Sequence, residues 1–252
     1  MIRLEIAGAI ATATLARPPV NAIDEDWIAR LHEVIQQAEQ DAAVAVLLVR
    51  SSERAFSAGA DLELMRSRFD TASGRAKMIA FVREMQRAYA RLEKSHLVSI
   101  AELGGAAMGG GLELALACDL RIASTSAKLG LPEARLGLLP GAGGTQRLTL
   151  LCGEPVAKRL ILGAEVVDGA EAAQLGIVQW AVAREELAAK ARELAERIAA
   201  LPAASLAACK RCIGAAGKPD HDGYGMELVA TEELLASDRT QALVRAFLEG
   251  RR

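Results

Sequence analysis

The sequence of 252 residues has few aromatic side chains, only three histidines and no large excess of charge of either sign. Its 30 basic and 32 acidic side chains leave a net charge of −2, which gives no electrostatic reason to expect a nucleic acid or an anionic membrane surface as a partner. The longest apolar runs, such as Val44–Val49, are far shorter than the ~20 residues of a membrane-spanning helix. We therefore expect neither nucleic-acid nor membrane partners.

Cysteine is also scarce, with four residues, and two of them form a Cys-x-x-Cys spacing at Cys209 and Cys212. A redox pair normally opens a helix after a strand, and a zinc site needs further ligands. This pair instead falls inside a helical-looking segment, Ala203–Gly214. The histidines stand singly, at His32, His96 and His221. We expect reduced, structural thiols, with no metal and no redox cofactor.

The N-terminal residues Met1–Glu5 have neither the apolar core of a signal peptide nor an Arg/Ser-rich amphipathic character. We therefore expect a cytoplasmic location. The length allows either one large domain or a domain with an appendage, and it is sufficient to bury a sizeable core.

Strand and helix patterns alternate in the first part of the chain. The predicted strands are Ile2–Ala7, Ile10–Ala16, Val44–Val49 and Leu97–Leu103. The predicted helices are Asp24–Ala42, whose apolar residues recur at helical spacing, and Ala76–Lys94. Strands that alternate with crossover helices imply parallel pairing and an α/β fold.

After Thr145 the pattern becomes mostly helical, with Ala-rich faces that suit close helix packing. Helices are predicted near Thr145–Leu151, Pro155–Leu162, Gly169–Leu175, Arg184–Ala200, Pro202–Ala215 and Glu227–Leu248.

Two glutamates, Glu113 and Glu133, are each presented by a glycine-rich segment. Glu113 follows the run Gly109–Gly111 at the start of a short apolar helical stretch, where backbone N–H groups lack intrahelical partners and a ligand oxygen could approach closely. This arrangement is a candidate oxyanion site. Glu133 lies within Leu129–Leu148, where so much Gly and Pro predicts a shaped loop and no regular element. Two carboxylates placed in this way suggest acid/base chemistry.

A third segment, Ala55–Leu62, follows the predicted strand Val44–Val49 and places small residues where N–H groups are accessible. The three segments contain Ser-Ala-Gly-Ala-Asp-Leu, Gly-Gly-Gly-Leu-Glu-Leu-Ala and Pro-Gly-Ala-Gly-Gly-Thr-Gln-Arg-Leu. In this order they resemble the crotonase, or enoyl-CoA hydratase/isomerase, superfamily, and the likeness runs over nearly the whole chain.

The resemblance implies an α/β fold with a crotonase-like β-β-α spiral core, residues 1–195, and a helical C-terminal region, residues 196–252, that serves packing and oligomerisation. It also implies an acyl-CoA thioester substrate and assembly into a homotrimer or homohexamer. Coenzyme A would be part of the substrate, so no separate cofactor and no metal is expected.

By position in the matched motifs, the backbone N–H groups of Ala60 and Gly110 should form the oxyanion hole. Glu113 and Glu133 match the two catalytic glutamates of hydratases, and we assign water activation chiefly to Glu113 and proton delivery at C2 chiefly to Glu133. Further substrate and CoA contacts are expected at Ala58, Gly59, Asp61, Leu62 and Gly109.

The resemblance therefore favours an enoyl-CoA hydratase, which adds water to a 2-enoyl-CoA thioester to give a 3-hydroxyacyl-CoA, as in β-oxidation. Alternatives are an enoyl-CoA isomerase, another acyl-CoA enzyme such as a decarboxylase or hydrolase, and a non-catalytic CoA- or RNA-binding relative. Many isomerases of the superfamily lack the first glutamate, so the presence of both favours hydration. The segment Glu63–Arg83 is expected to form the wall of the acyl pocket.

Overall fold

The computed structural model describes residues 1–218 and 220–250. Ten strands form two sheets within these residues. The strands are β1 (Ile2–Ala7), β2 (Ile10–Leu15), β3 (Val46–Ser51), β4 (Ala55–Ser57), β5 (Val98–Leu103), β6 (Ala106–Met108), β7 (Leu120–Ser124), β8 (Lys128–Gly130), β9 (Val166–Asp168) and β10 (Trp180–Val182).

The helices fill the connections and the C-terminal part. They are α1 (Glu25–Gln40), α2 (Leu62–Arg66), α3 (Ala72–Lys94), α4 (Gly110–Ala117), a 3₁₀ helix (Pro132–Leu136), α5 (Gly144–Ile161), α6 (Gly169–Gln174), α7 (Arg184–Ala199), α8 (Ala203–Ala215), α9 (Gly223–Leu235) and α10 (Asp238–Leu248).

The larger sheet has the order β1-β2-β3-β5-β7-β10, and all its neighbours pair in parallel except β1 and β2. The smaller sheet has the order β4-β6-β8-β9, with parallel pairing among the first three strands. Three times the chain passes from a strand of the larger sheet to a strand of the smaller one and then into a helix. This repeat confirms the predicted α/β fold with a β-β-α core.

Helix α1 follows directly from its sequence pattern. Asp24 caps its start by accepting a hydrogen bond from the Trp27 N–H at 2.9 Å. Its buried residues are the six apolar positions at helical spacing, Trp27, Ile28, Leu31, Val34, Ile35 and Ala38. These side chains join the main core, and a second core packs α7 against the other face of the larger sheet.

One predicted boundary is wrong in the C-terminal part. The predicted helix Glu227–Leu248 is two helices, α9 and α10, because the chain breaks near Ser237. The two helices predicted on either side of Gly153 are confirmed, since α5 is kinked at Gly153, where the backbone is not helical (φ +80°, ψ +164°). The predicted C-terminal region 196–252 includes residues 219, 251 and 252, which lie outside the described residues.

Cys209 and Cys212 lie on α8 as expected, and both are free thiols. Over residues 1–218 and 220–250, no group of three or more His, Cys, Asp or Glu side chains is arranged to hold a metal ion. No single helix in the described part of the chain is long and apolar enough to cross a bilayer. Helices α7 and α8 together reach that length and composition, but they meet at a bend of 101°.

Candidate active site

A cavity of about 610 Å³ lies between α3, the start of α4 and the segment that contains the 3₁₀ helix. It brings together residues from all three motif segments that were far apart in the sequence. The predicted site residues that line it are Ala58, Gly59, Ala60, Leu62, Gly109, Gly110, Glu113 and Glu133. The structure therefore brings these eight predicted residues to one cavity.

Among the described residues, neither the Ala60 N–H nor the Gly110 N–H has a backbone partner. Ile23 forms a parallel bridge with Ala60, in which the Ile23 N–H donates to Gly59 O and the Asp61 N–H donates to Ile23 O, each at 2.9 Å. This pattern does not use the Ala60 N–H. Gly110 is the first residue of α4, where an N–H has no intrahelical acceptor. Two donors are thus available at the cavity wall.

The two donor segments lie against each other. A Cβ atom added at Gly59, where φ is +90°, would lie 2.8 Å from Met108 O and 3.2 Å from Gly110 N. A Cβ atom added at Gly110 would lie 3.6 Å from Ala60 N. Glycine at position 59 is required both by this close approach and by the positive φ. The arrangement can place two N–H donors on one ligand oxygen.

Glu113 lies in the first turn of α4 and is only 2% exposed. Its Oε1 accepts a hydrogen bond from the Gly144 N–H at 2.7 Å. Burial raises the pKa of its carboxyl to about 7, and the nearby Glu133 acts in the same direction. The N–H groups of Gly144 and Ala142 and the charge of Arg147 oppose that rise. A carboxyl with a pKa near neutrality can both accept and return a proton.

Glu133 lies in the 3₁₀ helix Pro132–Leu136, so the prediction that this segment has no regular element is wrong at this point. The Pro at its first position favours a helical turn. Oε1 of Glu133 is close to the segment that carries the Gly110 donor, since a Cβ atom added at Gly109 would lie 2.9 Å from this oxygen. Its Oε2 is buried and accepts no hydrogen bond from any described residue. Burial raises the pKa of this carboxyl as well.

Most of the other residues that line the cavity are apolar. The predicted segment Glu63–Arg83 does line the cavity, and it contributes Met65, Phe69, Met78, Ile79, Val82 and Arg83. A second part of the wall, Leu136, Leu138 and Leu139, was not predicted. These leucines lie in the Gly/Pro-rich segment, where no periodic pattern distinguishes a lining side chain from an exposed one.

Asp61 is placed differently from the other predicted contact residues. Its carboxylate caps α2 by accepting from the Glu63 and Leu64 N–H groups, and it lies 3.3 Å from Arg17 Nη2. It is not among the residues that line the cavity. Its contacts secure the turn that follows Ala60.

Two neighbours of the predicted residues cannot be recognised from the sequence. Gly144, whose N–H donates to Glu113, belongs to a motif segment that gives no sign of this contact, and Tyr89 is one residue of a predicted helix. The spacing of α3 could have placed Tyr89 on its buried face, but no local signal indicates that its hydroxyl reaches Gly110.

Comparison with known proteins gives consistent matches over the full length. A family model described as enoyl-CoA hydratase/isomerase matches residues 5–252. The short-chain-enoyl-CoA hydratase of Clostridium acetobutylicum is 36% identical over 252 residues, which cover 99% of this chain and 95% of that protein. A solved enoyl-CoA hydratase from Geobacillus kaustophilus superposes with a TM-score of 0.94 at 31% identity, covering 100% and 94% of the two chains. The structure of Pseudomonas aeruginosa DspI has a TM-score of 0.92 at 38% identity, covering 99% and 94%.

Proposed function

The chain belongs to the enoyl-CoA hydratase/isomerase family, and we propose that within this family it is an enoyl-CoA hydratase. The reaction is the addition of water across the double bond of a 2-enoyl-CoA thioester, which gives a 3-hydroxyacyl-CoA. Coenzyme A enters and leaves as part of the substrate and product.

The thioester oxygen is the atom that gains negative charge when water attacks C3. In the proposed complex this oxygen accepts hydrogen bonds from the Ala60 and Gly110 N–H groups, which lie on facing segments and have no backbone partner within the part of the chain that the structure describes. Fixed donors stabilise the enolate-like charge without reorganisation, and losing one such donor typically costs about 3–4 kcal/mol. The apolar wall from α3 then accommodates the acyl chain.

The two glutamates carry the proton transfers. Glu113 has one oxygen held by the Gly144 N–H, so its other oxygen can accept a proton from the attacking water. Glu133, whose pKa is raised by burial and whose Oε2 has no partner among the described residues, delivers a proton to C2. The charge of Glu133 raises the pKa of Glu113, so the protonation of Glu113 depends on that of Glu133. Passing a proton from Glu113 to Glu133 after the reaction restores both carboxyl groups for the next turnover. The proton taken from water balances the proton added to carbon.

The observation that carries this proposal is that one cavity contains two carboxyl groups, the buried Glu113 and the half-buried Glu133, together with two N–H donors that have no backbone partner in the described part of the chain. Shifting a double bond needs one proton shuttle, whereas holding and splitting a water molecule employs both carboxyl groups. The second carboxyl therefore favours hydration over isomerisation.

The test compares crotonyl-CoA hydration with 3-enoyl to 2-enoyl isomerisation in the wild type and in Glu113→Gln and Glu133→Gln. Each substitution should lower hydration by about 10²–10⁴-fold, because a carboxamide keeps the shape but cannot transfer the proton. Binding of a saturated acyl-CoA should persist. Glu5→Gln, at an exposed position of β1, serves as the control and should be fully active. Efficient isomerisation that survives Glu113→Gln, together with negligible hydration by the wild type, would establish an isomerase instead.

A further inference from the structure

Helix α3 carries three polar side chains, Gln86, Tyr89 and Glu93, that contact residues of the motif segments. Their spacing of three and four residues places them on one face of the helix. Tyr89 contacts one part of the site and the other two contact a second part, and none of the three belongs to the motif segments. Their contacts therefore connect parts of the site that are distant in the sequence.

Tyr89 contacts the donor segment. It is fully buried, and its hydroxyl donates a hydrogen bond to Gly110 O at 2.9 Å. The carbonyl and the N–H of Gly110 belong to neighbouring peptide planes that meet at its Cα. Fixing the carbonyl therefore limits how far the plane of the N–H can turn relative to it. Burial, followed by the charge of Glu113, raises the pKa of the Tyr89 hydroxyl, so it stays protonated and remains a donor.

Gln86 contacts the Glu113-binding loop, residues 141–144, whereas Glu93 contacts Arg147 of α5, which donates to that loop. Gln86 Nε2 donates to Gly141 O at 2.7 Å. Glu93 Oε2 lies 3.1 Å from Arg147 Nη2, and Arg147 Nη1 donates to Ala142 O at 3.0 Å. These bonds hold residues 141 and 142, just before the Gly144 N–H that donates to Glu113.

We propose that helix α3 is the positioning element of this active site, and that Tyr89, Gln86 and Glu93 hold the Gly110 donor and the Glu113-binding loop in one fixed geometry. Met78, Val82 and Met85 on the same helix line the apolar wall of the cavity. One rigid element thus sets both the acyl pocket and the catalytic groups. This inference rests on the proposed function in one respect, which is that the ligand of the cavity is an acyl-CoA thioester.

The direct test is Tyr89→Phe, which removes the hydroxyl and keeps the ring. The readout is the infrared carbonyl stretch of bound butyryl-CoA labelled with ¹³C at the thioester carbon, a saturated ligand that cannot be hydrated. The wild type should lower this frequency relative to free ligand, and Tyr89→Phe should move it part of the way back. Because a displaced donor costs less than the 10²–10³-fold loss of an absent one, kcat for crotonyl-CoA should fall by about 10-fold with little change in KM.

Tyr224→Phe provides the matched control, since Tyr224 is the other tyrosine of the chain and is 85% exposed. It should change neither the stretch nor kcat. A folded Tyr89→Phe protein with an unchanged carbonyl stretch would overturn the inference, whatever its kcat. A wild type that shifts the carbonyl but does not hydrate crotonyl-CoA would refute the proposed hydratase activity and leave the Tyr89 comparison valid.

A second pair of variants tests the loop contacts without altering a fully buried residue. Gln86→Met and Glu93→Gln should loosen the loop and weaken the Gly144 bond to Glu113. The titratable or charged side chains next to Glu113, which also act on its pKa, are Glu133, Tyr89 and Arg147.

Weaker stabilisation of the Glu113 carboxylate raises its pKa, so the acid limb of the kcat/KM profile should move to higher pH in both variants. Glu84→Gln, whose partner Arg87 lies on the same helix, is the control and should keep the wild-type profile. Unchanged acid limbs in both loop variants would contradict the positioning role of Gln86 and Glu93.

Discussion

Replacing Glu113 by glutamine should stabilise the folded protein at pH 8 while it removes most of the activity. Burial raises the pKa of this carboxyl from 4.5 to about 7. Since one pKa unit corresponds to about 1.4 kcal/mol, the buried charge disfavours the folded state by roughly 3 kcal/mol. The folded state binds this proton more tightly than the unfolded chain does. Stability is therefore lost as the pH rises from 4.5 to about 7, and above 7 the full penalty is present.

Glutamine carries no charge at any of these pH values, and its side-chain oxygen can still accept the Gly144 N–H. The variant should accordingly gain up to roughly 3 kcal/mol over the wild type at pH 8. Most of that gain should be absent at pH 5, where the wild-type carboxyl is protonated in the folded state. The new NH₂ group needs a partner of its own, which reduces the gain. Hydration should fall by about 10²–10⁴-fold.

The measurement is urea-induced unfolding of the two proteins at pH 5 and pH 8, at one protein concentration because self-association shifts apparent stability. Glu5→Gln should leave the difference in unfolding free energy near zero at both pH values. If Glu113→Gln were less stable than the wild type at pH 8, or if the difference between them did not change with pH, the electrostatic reasoning would be refuted.

Three further outcomes are expected. Gly110→Pro should abolish turnover and leave the fold intact, because proline is tolerated at the first position of a helix but removes the N–H donor; near-normal activity would rule out that donor. Cys209→Ser/Cys212→Ser should be fully active, since both thiols lie on α8 away from the cavity lining, and bound zinc in the purified protein would argue against this. Light scattering should give the trimer or hexamer mass that the family resemblance implies, since the exposed apolar side chains of α9 and α10, such as Leu228 and Phe247, favour self-association; a monomer at micromolar concentration would contradict this.

The long elements could be predicted because their hydrophobic period repeats several times. Helix α1 contains 16 residues, enough for six apolar positions to define one buried stripe. Strands β4, β6, β8 and β9 contain three residues each, so no period can be recognised in them. They form because neighbouring strands of the smaller sheet offer hydrogen-bond partners, which is tertiary information.

In the candidate site, too, some residues can be predicted from local sequence and others depend on tertiary packing. Ala60, Gly110, Glu113 and Glu133 could be named from motif segments, because such segments are local in sequence. The Tyr89 hydroxyl reaches Gly110 across 21 positions of sequence, and this contact depends on how α3 packs against α4. Asp61 lies inside a motif, yet its carboxylate caps a helix, since an acidic residue before a helix can satisfy free N–H groups as readily as it can bind a ligand.

Burial of a carboxyl group does not by itself identify a catalytic residue, and Glu102 on β5 illustrates the point. Burial raises the pKa of Glu102, and its Oε2 accepts no hydrogen bond within the described part of the chain, as is also true of Glu133. Glu102, however, lies 3.6 Å from Arg50 Nη2 and does not line the cavity. Glu133 instead lines the cavity together with Glu113 and with two N–H groups that have no backbone partner among the described residues. The proposed hydration uses the unpartnered oxygen of Glu133 for proton transfer to a substrate in the cavity, whereas Glu102, outside the cavity, cannot reach the same substrate.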